Sequence, residues 1–148
     1  MIDQGQPVIV EEVYHASIDK VWQAITALDK MSLWFFENIP AFTPEVGFKT
    51  QFEVVSDQKV FLHLWEILEV VPMKKLVCNW QYGGYPGDSV VSFELFQQQD
   101  KTKLKLTHYG IESFPSAIPQ FTRESGIAGW EYFIKGRLKE FLETTNSN

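Results

Sequence analysis

From Val8 to His15 the chain is rich in β-branched residues and follows Pro7, which predicts a first strand. The period then changes to a helical one. Ser17 stands at an N-cap position, and Val21, Trp22, Ile25 and Leu28 follow at helical spacing. Asp29 is placed to cap a second short helix reaching Trp34. A loop with Pro40, Pro44 and Gly47 leads to strand two, Phe48 to Val55, and Ser56-Asp57-Gln58 supplies a hairpin turn. Strand three runs from Lys59 to Val71, and Pro72-Met73-Lys74 turns into strand four, Lys75 to Tyr82. The loop Gly83-Gly84-Tyr85-Pro86-Gly87 precedes strand five, Ser89 to Gln97, and Gln99-Asp100 turns into strand six, Lys101 to His108. Strands joined by such short turns are antiparallel neighbours.

Beyond an irregular stretch from Ser113 to Pro119 the chain reads as helical to about Leu142. Ile127, Trp130, Ile134, Leu138 and Phe141 step by 3, 4, 4 and 3 residues, which places them on one face. Asn146-Ser147-Asn148 reads as a frayed polar tail. There is no repeat, linker or composition break, so residues 1–148 form a single α+β domain. Its apolar faces must be buried against each other, so a curved six-stranded antiparallel sheet wraps around the long C-terminal helix, with two short helices after strand one.

Composition sharpens this picture. The 148 residues include 5 Trp, 5 Tyr and 12 Phe, a load that either packs a bulky core or lines a pocket. It also suits a dimer surface, leaving monomer and homodimer both open. A net charge of −6 argues against nucleic acid and anionic membranes as partners. No apolar run approaches the roughly 20 residues that span a bilayer, and the N-terminus lacks a basic start and apolar stretch. Cys78 is the single cysteine, so no internal disulfide forms. A cytoplasmic location is the expectation.

Little in the chain points to catalysis. His15, His63 and His108 lie far apart on different predicted strands, without the short spacing of a zinc site. No metal or cofactor is expected. A Gly-x-Ser-x-Gly elbow is missing, and the Gly83–Gly87 loop lacks the Lys-Ser/Thr ending of a phosphate loop. Glu66 and Glu69, three positions apart on one strand, should point to opposite faces; entry of one into a cavity beside Trp65 or Trp80 is the alternative to the favoured solvent-facing place. His108 follows Leu104 and Leu106 at period two and shares their face, as a buried structural histidine or as a polar fixture for a ligand. Lys101, Lys103 and Lys105 alternate with those leucines and belong outside.

The order of elements and the residues in them resemble the START-like (SRPBCC) helix-grip superfamily. Within it, the chain is similar to the family named for the activator of the heat-shock chaperone ATPase. The matching segments are His15-Ala16-Ser17-Ile18-Asp19-Lys20-Val21-Trp22, Leu33-Trp34-Phe35, Val46-Gly47-Phe48 and Leu68-Glu69-Val70-Val71-Pro72. Leu76-Val77-Cys78-Asn79-Trp80, Thr102-Lys103-Leu104-Lys105-Leu106-Thr107-His108 and Gly129-Trp130 complete the set. The resemblance implies a cavity between sheet and long helix. Trp130 and Ile134 would form its lid-side wall, Trp80 and Phe93 its floor, and His108 a polar anchor. Trp34 and Trp65 are further wall candidates, and the loops Phe35–Pro44 and Phe114–Pro119 would be gates. The expected function is binding of a small hydrophobic or amphipathic molecule rather than catalysis. A protein-interaction module acting on a chaperone or other partner, and an aromatase- or cyclase-like enzyme, are the alternatives the resemblance carries.

Overall fold

The structure, a computed structural model, describes residues 6–145. The tail at Asn146-Ser147-Asn148 lies outside the described residues. Strand β1 (Val8–Tyr14) is followed by helices α1 (Ile18–Thr26) and α2 (Leu28–Trp34). Then come β2 (Lys49–Ser56), β3 (Lys59–Val71), β4 (Lys75–Tyr82), β5 (Ser89–Gln98) and β6 (Lys101–Tyr109). All pairings are antiparallel and the order is β1-β6-β5-β4-β3-β2, so the five-strand meander closes onto the N-terminal strand. A helical rod over residues 123–145 lies across the inner face. It comprises α3 (Arg123–Glu131), a π-helical segment (Tyr132–Arg137) and α4 (Leu138–Thr145). Among the described residues no helix is long and apolar enough to cross a membrane.

Local chemistry explains the boundaries. Ser17 caps α1 by accepting from the Lys20 backbone N–H, and Thr122 caps α3 by accepting from that of Ser125. The start of α2 differs from expectation: Ala27 occupies the N-cap position, without a side-chain bond, and Asp29 lies inside the first turn. There the carboxylate favours the helix through its dipole rather than as a cap. In the β2–β3 hairpin Asp57 and Gln58 both take positive φ (52° and 67°), the turn hand that suits twisted strands.

The rod carries the main departure from the spacing expected of it. Its buried positions are Trp130, Ile134, Leu138 and Leu142, at steps of four, while Phe141 is only partly buried. Four residues overshoot an α-helical turn by about 40°, so three such steps drift by about 120°. The wider π turn between Tyr132 and Arg137 absorbs this drift and keeps the stripe facing the sheet. Tyr14, fully buried, donates from its phenol to the Ile134 carbonyl at 2.5 Å and ties this turn to β1.

A second departure is a register shift between Ile67 and Glu69 of β3. Glu66 pairs with Asn79 and Glu69 with Val77, so the extra residue, Leu68, restores both carboxylates to the outer face. Glu69 there bridges Lys75 at 3.4 Å. Neither glutamate enters the interior. Lys103 is on the outer face as expected, 3.3 Å from Glu11.

Gly110 ends β6 at φ +89°, where an added Cβ would lie 2.6 Å from the Asp88 carbonyl oxygen. Gly110→Ala is expected to cost about 2 kcal/mol or more, from left-handed strain plus backbone displacement. A urea titration showing a loss under about 0.5 kcal/mol would contradict that account.

Candidate functional site

Period two brings Trp65 of β3, Trp80 of β4, Phe93 of β5 and His108 of β6 to the same inner face. The rod supplies Trp130 opposite them. These rings do not share one space. Near α2 the interior is filled: Trp34 stacks on Phe35 at 4.6 Å, Phe35 on Trp65 at 5.7 Å, and Trp65 meets Trp80 at 5.0 Å. A void of only about 10 Å³ remains between Trp34, Trp65 and Phe93. Trp34 is spent structurally, its indole N–H donating to the Ala24 carbonyl at 2.7 Å. Ile134, fully buried, packs into the core rather than lining open space.

The other half of the interior is hollow. A partly enclosed cavity of about 140 Å³ lies between β3, β4, β6 and the first turns of the rod. Trp80, His108 and Trp130 line it, so three of the seven residues singled out in the sequence meet there. Phe36 and Phe114, from the two expected gate loops, and Phe133 supply further aromatic wall. Beyond Tyr82, which stacks on Phe121 at 4.6 Å, a small cluster of Phe61, Phe114 and Phe121 closes one end. No Asp, Glu, Lys or Arg is among the lining residues. Among the described residues no cluster of His, Cys, Asp or Glu could hold a metal ion.

His108 is 5 % exposed and both its ring nitrogens have protein partners. The Trp130 indole N–H reaches Nδ1 at 3.0 Å, so Nδ1 carries a lone pair. The Ser89 hydroxyl donates to the Trp80 carbonyl at 2.6 Å, which leaves Ser89 Oγ to accept from His108 Nε2–H at 2.9 Å. The chain of bonds thus fixes one neutral tautomer, and a proton on Nδ1 would confront the Trp130 N–H. Burial lowers the pKa from the usual 6.5 to about 3. The geometry favours the structural reading of His108: it shapes the wall and has no nitrogen left for a ligand.

His63, passed over in the sequence, is placed differently. It shares the inner face with Trp65 two positions on, a signal period two already contained. The ring is 7 % exposed and packed at 5.3 Å from both Phe36 and Phe52 and at 5.5 Å from Trp80. Its Nδ1–H donates to the Phe61 carbonyl at 3.2 Å, and Nε2 makes no hydrogen bond among the described residues. Burial lowers its pKa to about 4, against the weaker opposing effect of that carbonyl. At neutral pH His63 therefore offers this cavity a bare acceptor nitrogen.

Two more polar atoms in the wall are unspent. Gln120 donates from its amide nitrogen to the Ser56 carbonyl at 3.3 Å, which leaves Oε1 buried without a partner. The Trp80 indole N–H faces the Tyr82 phenol and lowers its pKa, against the larger effect of burial, which pushes it up to about 12. It completes no hydrogen bond. Nothing in the sequence marked Gln120, which sits in a short 3-10 turn (Pro119–Phe121) outside any periodic segment. Trp65 Nε1 is also buried without a partner, but in the filled half.

A sheet gripping one long helix over an aromatic, uncharged cavity defines a START-like helix-grip domain. The family described as Activator of Hsp90 ATPase homolog 1-like protein matches residues 15–143, and the chain belongs to it. Among solved structures, a protein from Mesorhizobium loti is 27 % identical, with a TM-score of 0.72 over 95 % of this chain and 98 % of that one. A Chromobacterium violaceum protein is 19 % identical with a TM-score of 0.78, over 93 % and 97 % of the two chains. The Aha1 dimer from Colwellia psychrerythraea, determined in solution, is 20 % identical with a TM-score of 0.71, over 97 % of each chain. A search of curated proteins found no match.

Proposed function

We propose that the domain binds a small, largely apolar molecule in the cavity beneath the rod, and that it acts by binding rather than catalysis. The observation that carries this is the hollow itself: about 140 Å³ walled by aromatic rings in an otherwise close-packed interior. Protein cores rarely leave such space, because the lining loses its dispersion contacts. Binding a ligand restores them. The lack of any lining carboxylate, and a His108 whose nitrogens are both occupied, support a carrier or sensor over an acid–base catalyst.

Gly129 makes the test direct. It lines the cavity from the rod, and a Cβ built there meets no atom within 4 Å. Gly129→Leu has room and should gain about 0.5–1 kcal/mol of helix stability. Its side chain should also reduce affinity for toluene, read through quenching of the cavity tryptophans, by about tenfold or more. A folded variant that binds toluene as the parent does would place binding elsewhere. Native mass spectrometry of gently purified parent protein should in addition release a discrete small molecule.

A second reading, a protein-interaction module, draws on the outer surface. Val71 and Phe96, 37 % and 44 % exposed, border an apolar groove with Ile18 and Met73. The family description suggests a chaperone ATPase as the partner. If Phe96→Asp abolished capture of such a partner while Gly129→Leu left it intact, this reading would replace the first.

A further inference from the structure

We propose that the cavity selects an uncharged aromatic alcohol of about one ring, a simple phenol, whose hydroxyl donates to His63. This deepens the binding reading above and rests on it. Three observations converge. The space is close to the roughly 150 Å³ that accommodates benzene in an apolar protein cavity, so a single ring fits. The walls are aromatic edges and faces: Trp80 and Trp130 meet at 5.4 Å and 71°, a geometry that extends naturally to a further ring.

The third observation is the sign of the unspent polar atoms. His63 Nε2 and Gln120 Oε1 are both acceptors, left so because the other end of each side chain is committed to a backbone carbonyl. A carboxylate or phenolate would bring its charge against these lone pairs with no lysine or arginine in the wall to compensate. An ammonium would find no carboxylate. A hydroxyl suits the wall, since it donates to an acceptor and brings no charge. The depressed pKa of His63 keeps its acceptor available at neutral pH. A toluene-sized hydrocarbon fills the space but leaves the acceptors unmatched, a penalty of the kind that makes hydrogen-bonding sites selective.

The experiment compares phenol, toluene and benzoate by tryptophan fluorescence titration at pH 7.5, for the parent, His63→Phe and His63→Gln. Benzoate should not bind detectably. His63→Phe should lower the ratio of phenol to toluene affinity by about tenfold while retaining toluene, whereas His63→Gln, which keeps an acceptor, should hold the ratio within a few-fold. If His63→Phe does not fold, Gln120→Leu replaces it, with a smaller fall in the same ratio. An unchanged ratio in the folded variant, or benzoate binding as well as phenol, overturns this inference and leaves the apolar-cavity reading standing. Failure of both phenol and toluene to bind the folded parent overturns both.

Discussion

Replacing Trp130 with alanine is expected to cost about 3–5 kcal/mol of stability, the range of a large aromatic removed from a packed core. The ring is 5 % exposed and sits at the boundary between the filled and hollow halves, within 6.1 Å of Phe93 on one side and 5.4 Å of Trp80 on the other. Its loss would also strip His108 Nδ1 of its donor. Trp130→Phe separates the two contributions. It keeps most of the ring but leaves the imidazole lone pair buried and unmatched, at about 1–3 kcal/mol. Urea unfolding of both variants reads these values. A loss under about 1 kcal/mol for alanine would mean that the ring moves freely in the cavity and that the bond to His108 contributes little.

Acid should weaken the fold well above the carboxylate range. His63 and His108 are neutral in the folded protein, with pKa values lowered to about 4 and about 3 from the usual 6.5. The unfolded chain takes up protons on both first, so stability is full above about pH 7.5 and falls as pH drops through 6.5. The loss levels off below about pH 4 for His63 and about pH 3 for His108. The unfolded chain carries about half a proton more per imidazole than the folded one at pH 6.5, and close to one more by pH 5. That difference removes about 2 kcal/mol of stability per histidine by pH 5. The expected sum, about 4 kcal/mol, is a large share of a typical domain's stability. Urea midpoints at pH 7.5 and pH 5 measure it, and His63→Phe should recover about half. A midpoint independent of pH over this interval would show that neither histidine is held neutral by burial.

The fold was legible because its signals are local. Gly83-Gly84 and Gln99-Asp100 fix where strands end, and the β-branched and aromatic runs between them could form only a meander. The misread details all turn on one residue more or less. Asp29 looked like a cap because its side chain can serve as one, but the turn from α1 is tight enough that Ala27 begins α2. Glu66 and Glu69 obey strict alternation in a flat strand, whereas the bulge at Leu68 is a decision of the sheet's curvature. Leu142 displaced Phe141 because the rod widens at Tyr132–Arg137, a feature that regular helical spacing does not encode.

The site was legible only in part. Alternation told which side chains of one strand share a face but not which face looks inward, and it was the resemblance that set Trp80 and His108 around one cavity. It could not tell a filled aromatic cluster from a hollow one, since that depends on how Phe35 and Phe36 fold in from a loop after α2. Histidine identity alone did not separate His108 from His63 either. The difference is which nitrogens find partners, and those partners, Ser89, Trp130 and a backbone carbonyl, come from distant parts of the chain.

The π turn has an implication for how such a domain can change its length. A regular helix cannot present Trp130 to the hollow and Leu142 to the core at once, because twelve residues of it turn the two about 120° apart. The segment Tyr132–Arg137 behaves as an interposed spacer, a mechanical washer between a portion facing the cavity and a portion anchoring the scaffold. Shortening it by one residue would leave the sheet untouched yet turn the upper helix against the lower. The shape of the chamber is thus set by the spacing within the rod as well as by the identities of the rings around it.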